Sequence, residues 1–285
     1  MTPKHILLPL NGESDGESVA LAGLRIAQHY GAHVSAGYED ALGPLYAPTL
    51  GYMPSGPVFG EFYDQMQKLR TERMATARRQ FDAAVAATKI PIVSEVACSR
   101  GSAMWMEPAD SGTLSQRGLV IDLAVVPAPG ENLSPGPWAA IDNLLFAAGA
   151  PVLMLPRGAS NVEFRRPLIA WNGSREAVRA LQCLVAFLPQ GARPVLLQVG
   201  KLGVGRVPAS HAVDYLGWHC FESDVRLIEG KDSNAPAIFQ EQAVDLKASA
   251  MVMGAYTHGR TRQLLLGGLT NAMLRHAALP TLMSH

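Results

Sequence analysis

The chain contains one pattern twice, and this internal repeat constrains the fold more than any other feature of the sequence. Residues 6–12 (ILLPLNG) and 168–173 (LIAWNG) are each followed by an apolar stretch with helical spacing. Each copy also closes alike, with an apolar run, a glycine-bearing loop, a helix and a second apolar run, at 123–154 and at 250–283. Such repetition predicts two copies of one structural unit.

The length of 285 residues suits two domains of this kind. We expect a first domain over 1–158 and a second over 165–285, with a polar hinge over 157–166. The first copy is the longer one, largely because of a loop rich in proline, glycine and aromatic residues over 43–62. That loop is predicted to be either an ordinary surface excursion or a lid or contact loop for a protein partner.

Short apolar runs alternate with helical patterns along both copies, which predicts an α/β fold. The predicted strands lie at 5–10, 33–38, 90–97, 123–126, 151–155, 168–171, 195–199, 224–228, 250–253 and 281–283. One predicted helix follows the first strand and ends at 30. Four others cover 62–88, 138–147, 211–218 and 269–276, and two more start near 174 and 236. The chain should therefore form two doubly wound domains, each with a five-stranded parallel sheet. No structure is predicted for 101–118, because Pro108 and Gly112 interrupt it.

Composition excludes several classes of partner and site. Basic and acidic residues balance at 24 each, so no net field attracts nucleic acid or an anionic membrane. The apolar runs are too short to span a bilayer, and no secretory signal precedes the first strand, so we expect a cytoplasmic protein. The three cysteines are widely separated, which argues against disulfides and zinc and favours buried thiols.

The second copy offers the better ligand site. In an open parallel sheet, ligands bind beyond the carboxyl ends of the strands. The segments 171–174, 198–200 and 254–270 follow three predicted strands and should meet there. Gly267 and Gly268 precede a helix, whose free N–H groups and positive dipole end suit a phosphate. The corresponding loop of the first copy, 127–137, has four prolines and Glu131, so we expect no nucleotide there.

The spacing of this loop resembles the signature of the universal stress proteins, which reads Gly, two residues, Gly, nine residues, Gly and then Ser or Thr. Here Gly254 is followed by two residues, Thr257, nine residues, Gly267 and Gly268. Thr257 replaces the second glycine, Gly268 replaces the hydroxyl residue, and Asn172 stands where the first strand usually ends in Asp. The resemblance covers almost the whole chain as a tandem of two domains.

The resemblance implies a Rossmann-like fold of the adenine nucleotide alpha hydrolase type and a binding or sensor protein of stress response. It implies a bound ATP or related adenine nucleotide, with magnesium, in the second domain. Base and ribose would lie against Ala170, Asn172 and Val199. The phosphates would lie within reach of Arg260 and against Gly254, Thr257, Gly267, Gly268, Leu269 and Thr270. The two domains would pair within one chain, and a homodimer is left open.

Two other functions stay open at this point. One is an interaction module of the same fold that binds no nucleotide and uses the 43–62 loop as a contact or lid. The other is a weak ATP hydrolase or a nucleotidyl transferase. The sequence has no P-loop lysine, no acid–base pair and no metal cage, and His258 is interpreted as a solvated loop residue. We therefore predict no catalytic and no metal-binding residues.

Overall fold

The computed structural model describes residues 2–39, 57–95, 101–107, 118–133, 135–255 and 268–285. The first half consists of β1 (His5–Leu10), α1 (Gly16–Tyr30), β2 (His33–Tyr38), α2 (Pro57–Thr88), β3 (Ser102–Met106), β4 (Leu123–Pro127), α3 (Pro135–Asp142) and β5 (Val152–Leu155). The second half consists of β6 (Pro167–Ala170), α4 (Arg175–Val185), β7 (Val195–Val199), α5 (Ala209–Trp218), β8 (Asp224–Ile228), α6 (Ala235–Asp245), β9 (Ala250–Gly254), α7 (Gly268–His276) and β10 (Thr281–Ser284). Most of the predicted 43–62 loop lies outside the described residues, as do 108–117 of the stretch left without a prediction.

All ten strands form one sheet in the order β3-β2-β1-β4-β5-β10-β9-β6-β7-β8. Within each half the neighbouring strands are parallel and follow the same order, third-second-first-fourth-fifth. The predicted α/β class with five parallel strands in each half is therefore confirmed. The resemblance implied that the two domains pair within one chain, but the sequence did not predict which strands would join the sheets: β5 pairs antiparallel with β10. This pairing removes two strand edges that would otherwise expose backbone polar groups.

Helices cover both faces of the sheet, which explains why the strands are apolar without alternation. Successive side chains of a strand point to opposite faces, so Leu7 and Leu8 of β1 enter different cores. Leu8 packs in a cluster with residues of α1, α2, α4 and α5. Leu7 packs in a second cluster with residues of α3, α6 and α7. Both clusters run across the junction between the halves.

The predicted third strand at 90–97 is wrong, since the strand that pairs with β2 is Ser102–Met106. Of the predicted segment, Ile92 makes a single parallel bridge to Ala103. Pro91 has no N–H to donate to a ladder, whereas Ser102–Met106 offers a donor at every position. Among the described residues, no helix combines the length and the apolar character needed to cross a membrane.

Candidate functional site

The three predicted binding segments of the second half leave the sheet at one edge. Ala170 lies opposite Leu197 of β7 and opposite Met253 of β9, and all three strands are parallel. The residues that follow each strand therefore emerge side by side: Asn172 after β6, Val199 at the end of β7 and Gly254 at the end of β9. This is the position at which open parallel sheets bind ligands.

Asn172 organises the turn from β6 into α4. Its side-chain oxygen accepts a hydrogen bond from the backbone N–H of Ser174 (3.1 Å). The Ser174 hydroxyl in turn accepts from the N–H of Ala177 (3.2 Å), which caps the helix. Gly173 between them has φ 64°, and a Cβ there would lie 2.5 Å from the carbonyl oxygen of Val207. The segment is thus a strand-to-helix turn, with Asn172 exposed at its tip.

Gly254 permits an unusually close approach between β9 and the first turn of α4. A Cβ on Gly254 would lie 2.6 Å from the backbone nitrogen of Ala177 and 2.6 Å from the carbonyl carbon of Glu176. Real side-chain carbons do not approach backbone atoms so closely, so any larger residue would push the strand and the helix apart. The glycine that opens the predicted phosphate loop is therefore also required for packing.

The first turn of α7 supplies the other predicted phosphate contacts. Gly268 is exposed, Leu269 is half-buried and Thr270 is buried. The N–H groups of a first helical turn have no partner within their helix, so they are available to an anion. Thr257, Arg260 and Gly267, the other predicted phosphate residues, lie outside the described residues, as does His258.

A cleft that the sequence did not predict opens beside this edge. Its volume is about 740 Å³, and it runs along α4 beneath the loop that joins β7 to α5. That loop is held against the turn by two hydrogen bonds, from Trp171 Nε1 to the Val207 carbonyl (3.0 Å) and from the Val207 N–H to the Gly173 carbonyl (2.9 Å). Arg175, Arg179 and Arg206 line the cleft together with Glu176. The cleft is therefore lined by more cationic than anionic side chains. The sequence offered one sign of this, because Arg175 lies next to the predicted helix cap.

The equivalent turn of the first half is covered. Asn11 repeats the hydrogen bond of Asn172, since its side-chain oxygen accepts from the N–H of Glu13 (3.0 Å). Helix α2 lies across this turn: a Cβ on Gly12 would overlap the carbonyl oxygen of Arg73, and Gln80 Nε2 donates to the Glu13 carbonyl (2.7 Å). Asn11 is consequently buried, whereas Asn172 is exposed. The two halves share a fold but differ in access to this edge.

The cysteines in the described residues differ in environment. Burial and, to a smaller extent, the negative charge of Asp122 raise the pKa of the Cys183 thiol to about 12. Cys220 is exposed, so the prediction of buried thiols is wrong for this residue. Cys220 follows α5 with φ 64°, in a left-handed turn that places it at the surface. No group of three or more His, Cys, Asp or Glu side chains in the described part of the chain is arranged to hold a metal ion.

Comparisons with known proteins agree with this architecture. No protein-family model matches the chain. The chain is 27% identical over 149 residues to the universal stress protein Slr1230 from Synechocystis sp. (strain ATCC 27184 / PCC 6803 / Kazusa). This alignment covers 50% of the chain and 50% of that protein, so the chain spans about half the length of the curated relative.

The solved structure of a universal stress protein from Archaeoglobus fulgidus DSM 4304 matches over 98% of this chain and 94% of that one. The TM-score is 0.62 and the identity 16%, which is a likeness of fold. The sequence match and the fold confirm the predicted resemblance. The chain therefore resembles the universal stress proteins, in sequence over half of its length and in fold over nearly all of it, and one α/β unit occurs in it twice.

Proposed function

We propose that the second half binds ATP or a related adenine nucleotide, and that the protein acts in stress response. One observation carries the proposal: three adjacent parallel strands end at a single accessible edge, where Asn172, Val199 and Gly254 lie. The first turn of α7 follows the last of these strands along the chain. The name of the Synechocystis relative supports the link to stress. A nucleotide would place its base and ribose near Ala170, Asn172 and Val199 and its phosphates towards Gly254 and Gly268.

Local chemistry supports an anionic ligand at this edge. The N–H groups in the first turn of α7 have no partner within the helix, and Gly268 is exposed there and carries no side chain. Three arginines line the neighbouring cleft. In the first half the corresponding turn is buried under α2, which supports one nucleotide site per chain, in the second half. Magnesium would accompany the phosphates of the nucleotide, as it commonly does in proteins.

Titration of the purified protein with a fluorescent ATP analogue tests the proposal. We expect saturable binding, and we expect Gly268→Asp to raise the dissociation constant at least about tenfold, or 1.4 kcal/mol. The negative charge of an aspartate in the first turn of a helix interacts favourably with the helix dipole, so this variant should stay folded. The same charge repels phosphate. Loss of binding would then report on the site and not on unfolding.

Ser14→Asp provides a charge control, because Ser14 is exposed in the turn from β1 to α1, the first-half counterpart of the Asn172 turn. This variant adds the same charge and should bind the analogue as the natural protein does. Absence of saturable binding at millimolar nucleotide would contradict the proposal. Equal weakening by Ser14→Asp and Gly268→Asp would contradict the assignment to the second half.

A further inference from the structure

The two ends of the ten-stranded sheet are formed by equivalent strands. β3 is the third strand of the first half and pairs with β2, and β8 is the third strand of the second half and pairs with β7. Each has one ladder to its neighbour and one outer edge. The internal duplication therefore allows a direct comparison of how the outer edges of β3 and β8 are covered.

In the first half the chain covers this end of the sheet itself. Trp105 of β3 packs against Phe81 of α2, with 5.5 Å between ring centroids, and the Arg78 guanidinium lies 5.3 Å from the Trp105 ring. On the outer edge, the Val93 N–H donates to the Ala103 carbonyl (2.9 Å), and the Ala103 N–H donates to the Pro91 carbonyl (2.9 Å). Helix α2 and the segment after it thus protect both the face and part of the edge of β3.

In the second half the described residues leave the same end of the sheet open. Helix α5 has 10 residues against 32 in α2, and four of the five residues of β8 are exposed. An apolar groove of about 500 Å³ lies between α5 and β8, and its apolar lining includes Leu202, Pro208, Ala209, Val213, Val225 and Leu227. Leu227 is 69% exposed and Val225 40%. No described residue pairs with the outer edge of β8.

The charges on β8 would complement each other if a two-fold axis related two copies of the strand. Arg226 donates to Gln242 Oε1 of α6 (3.1 Å), so Asp224 and Arg226 lie on the α6 side of the sheet, and Val225 and Leu227 face the groove. In an antiparallel pair centred on Val225, Asp224 lies directly opposite the partner's Arg226, and the reverse contact repeats it. Centring the pair on Asp224 or on Arg226 would instead place like charges opposite each other, which is unfavourable.

We propose that β8 is an association edge that pairs antiparallel with β8 of a second copy of this chain, in the register centred on Val225. The pairing extends the sheet across the two-fold axis and satisfies the exposed backbone groups of β8. It brings together the two apolar grooves, and it makes two reciprocal ion pairs between Asp224 and the partner's Arg226. This inference is independent of nucleotide binding, since β8 contributes none of the residues assigned to that site.

Charge reversal tests the proposed pair of strands. Sedimentation of the natural chain over a range of concentrations should show a dimer. Asp224→Arg alone and Arg226→Asp alone place like charges opposite each other in the proposed register, so each should weaken the dimer at least about tenfold. The double variant Asp224→Arg with Arg226→Asp restores opposite charges and should restore the dimer. Recovery in the double variant cannot come from a folding defect.

A cysteine cross-link tests the register itself. Residues directly opposite in an antiparallel pair have Cβ atoms about 4.5–5.5 Å apart, within reach of a disulfide. In a Cys220→Ser background, Val225→Cys should therefore form a disulfide with the partner's residue 225 on mild oxidation, identified by mass spectrometry of the bridged peptide. Leu227→Cys is the control and should not bridge to its own copy, because it lies opposite the partner's Ser223.

Three results would overturn the proposal. A natural chain that stays monomeric up to about 100 μM would remove the dimer, because this corresponds to an association free energy weaker than roughly 5.5 kcal/mol. A dimer unaffected by both single charge reversals would use another surface. Cross-linking through Leu227→Cys but not Val225→Cys would exclude the register centred on Val225.

Discussion

At the scale of single residues, Gly254 joins the candidate site to the packing of the sheet. It ends β9 at the edge where the nucleotide is proposed to bind, and its Cα lies against the first turn of α4. The sequence suggested a glycine for access of a phosphate. The structure adds a second reason, which is the close contact between two backbones.

We expect Gly254→Ala to destabilise the protein by about 1–3 kcal/mol, as overpacked buried positions typically do. The added Cβ would lie 2.6 Å from backbone atoms of Glu176 and Ala177, and backbone cannot rotate away. Urea unfolding measures the change. Gly217→Ala is the control: no atom lies within 4 Å of its added Cβ, and it occupies α5, where alanine is favoured by up to about 1 kcal/mol. Equal stability of both variants would contradict the packing role of Gly254.

At the scale of elements, α4 depends on the turn that precedes it. Ser174 is buried and caps the helix through Ala177, while Asn172 holds the N–H of Ser174. We expect Ser174→Ala to lower the free energy of unfolding by about 1 kcal/mol, since the N–H of Ala177 loses its acceptor in a buried place. Ser210→Ala, an exposed serine in the first turn of α5, should change it by no more than about 0.5 kcal/mol in urea unfolding. A larger loss in Ser210→Ala than in Ser174→Ala would contradict this assignment.

Most elements could be predicted because their signals are local. β1 and β2 lie where the apolar runs place them, and the Ser174 cap marks the start of α4. β3 could not be placed in the same way, because residues 90–97 and 102–106 are both mainly apolar and only contacts with β2 and α2 decide between them. The site was predictable to the extent that parallel strand ends must meet. The arginine-lined cleft was not, since it depends on how the loop after β7 folds onto α4.

At the scale of the whole molecule, the junction between β5 and β10 joins the two halves, and we expect them to unfold as one unit. Leu282 of β10 lies opposite Leu153 of β5, and both side chains are fully buried. We expect Leu282→Ala to cost about 2–5 kcal/mol and to shift the unfolding of both halves together. Fluorescence of Trp105 in the first half and of Trp171 in the second, each in a variant lacking the other tryptophans, reports the two halves separately in urea.

Val244→Ala is the control, because Val244 is 77% exposed and its change should stay within about 0.5 kcal/mol. Two separated transitions in the natural chain, or a shift of Trp171 without Trp105 in Leu282→Ala, would contradict a single unit. The joined sheet also shows what a repeat pattern cannot reveal. Two copies of one unit were evident in the sequence. The strands through which the copies meet were not, because that contact depends on how the edges of the two folded sheets fit each other.

The antiparallel junction has a consequence for how the protein responds to dilution. Both of its strands belong to one polypeptide, so the effective concentration of one for the other is set by the tether and not by the amount of protein. Two separate chains joined in this way would dissociate at low protein concentration, whereas this chain keeps the contact between β5 and β10 at any concentration. The pairing proposed at β8 joins two separate chains, so the fraction of chains paired there would rise with the level of expression. The junction of β5 with β10 would not depend on it.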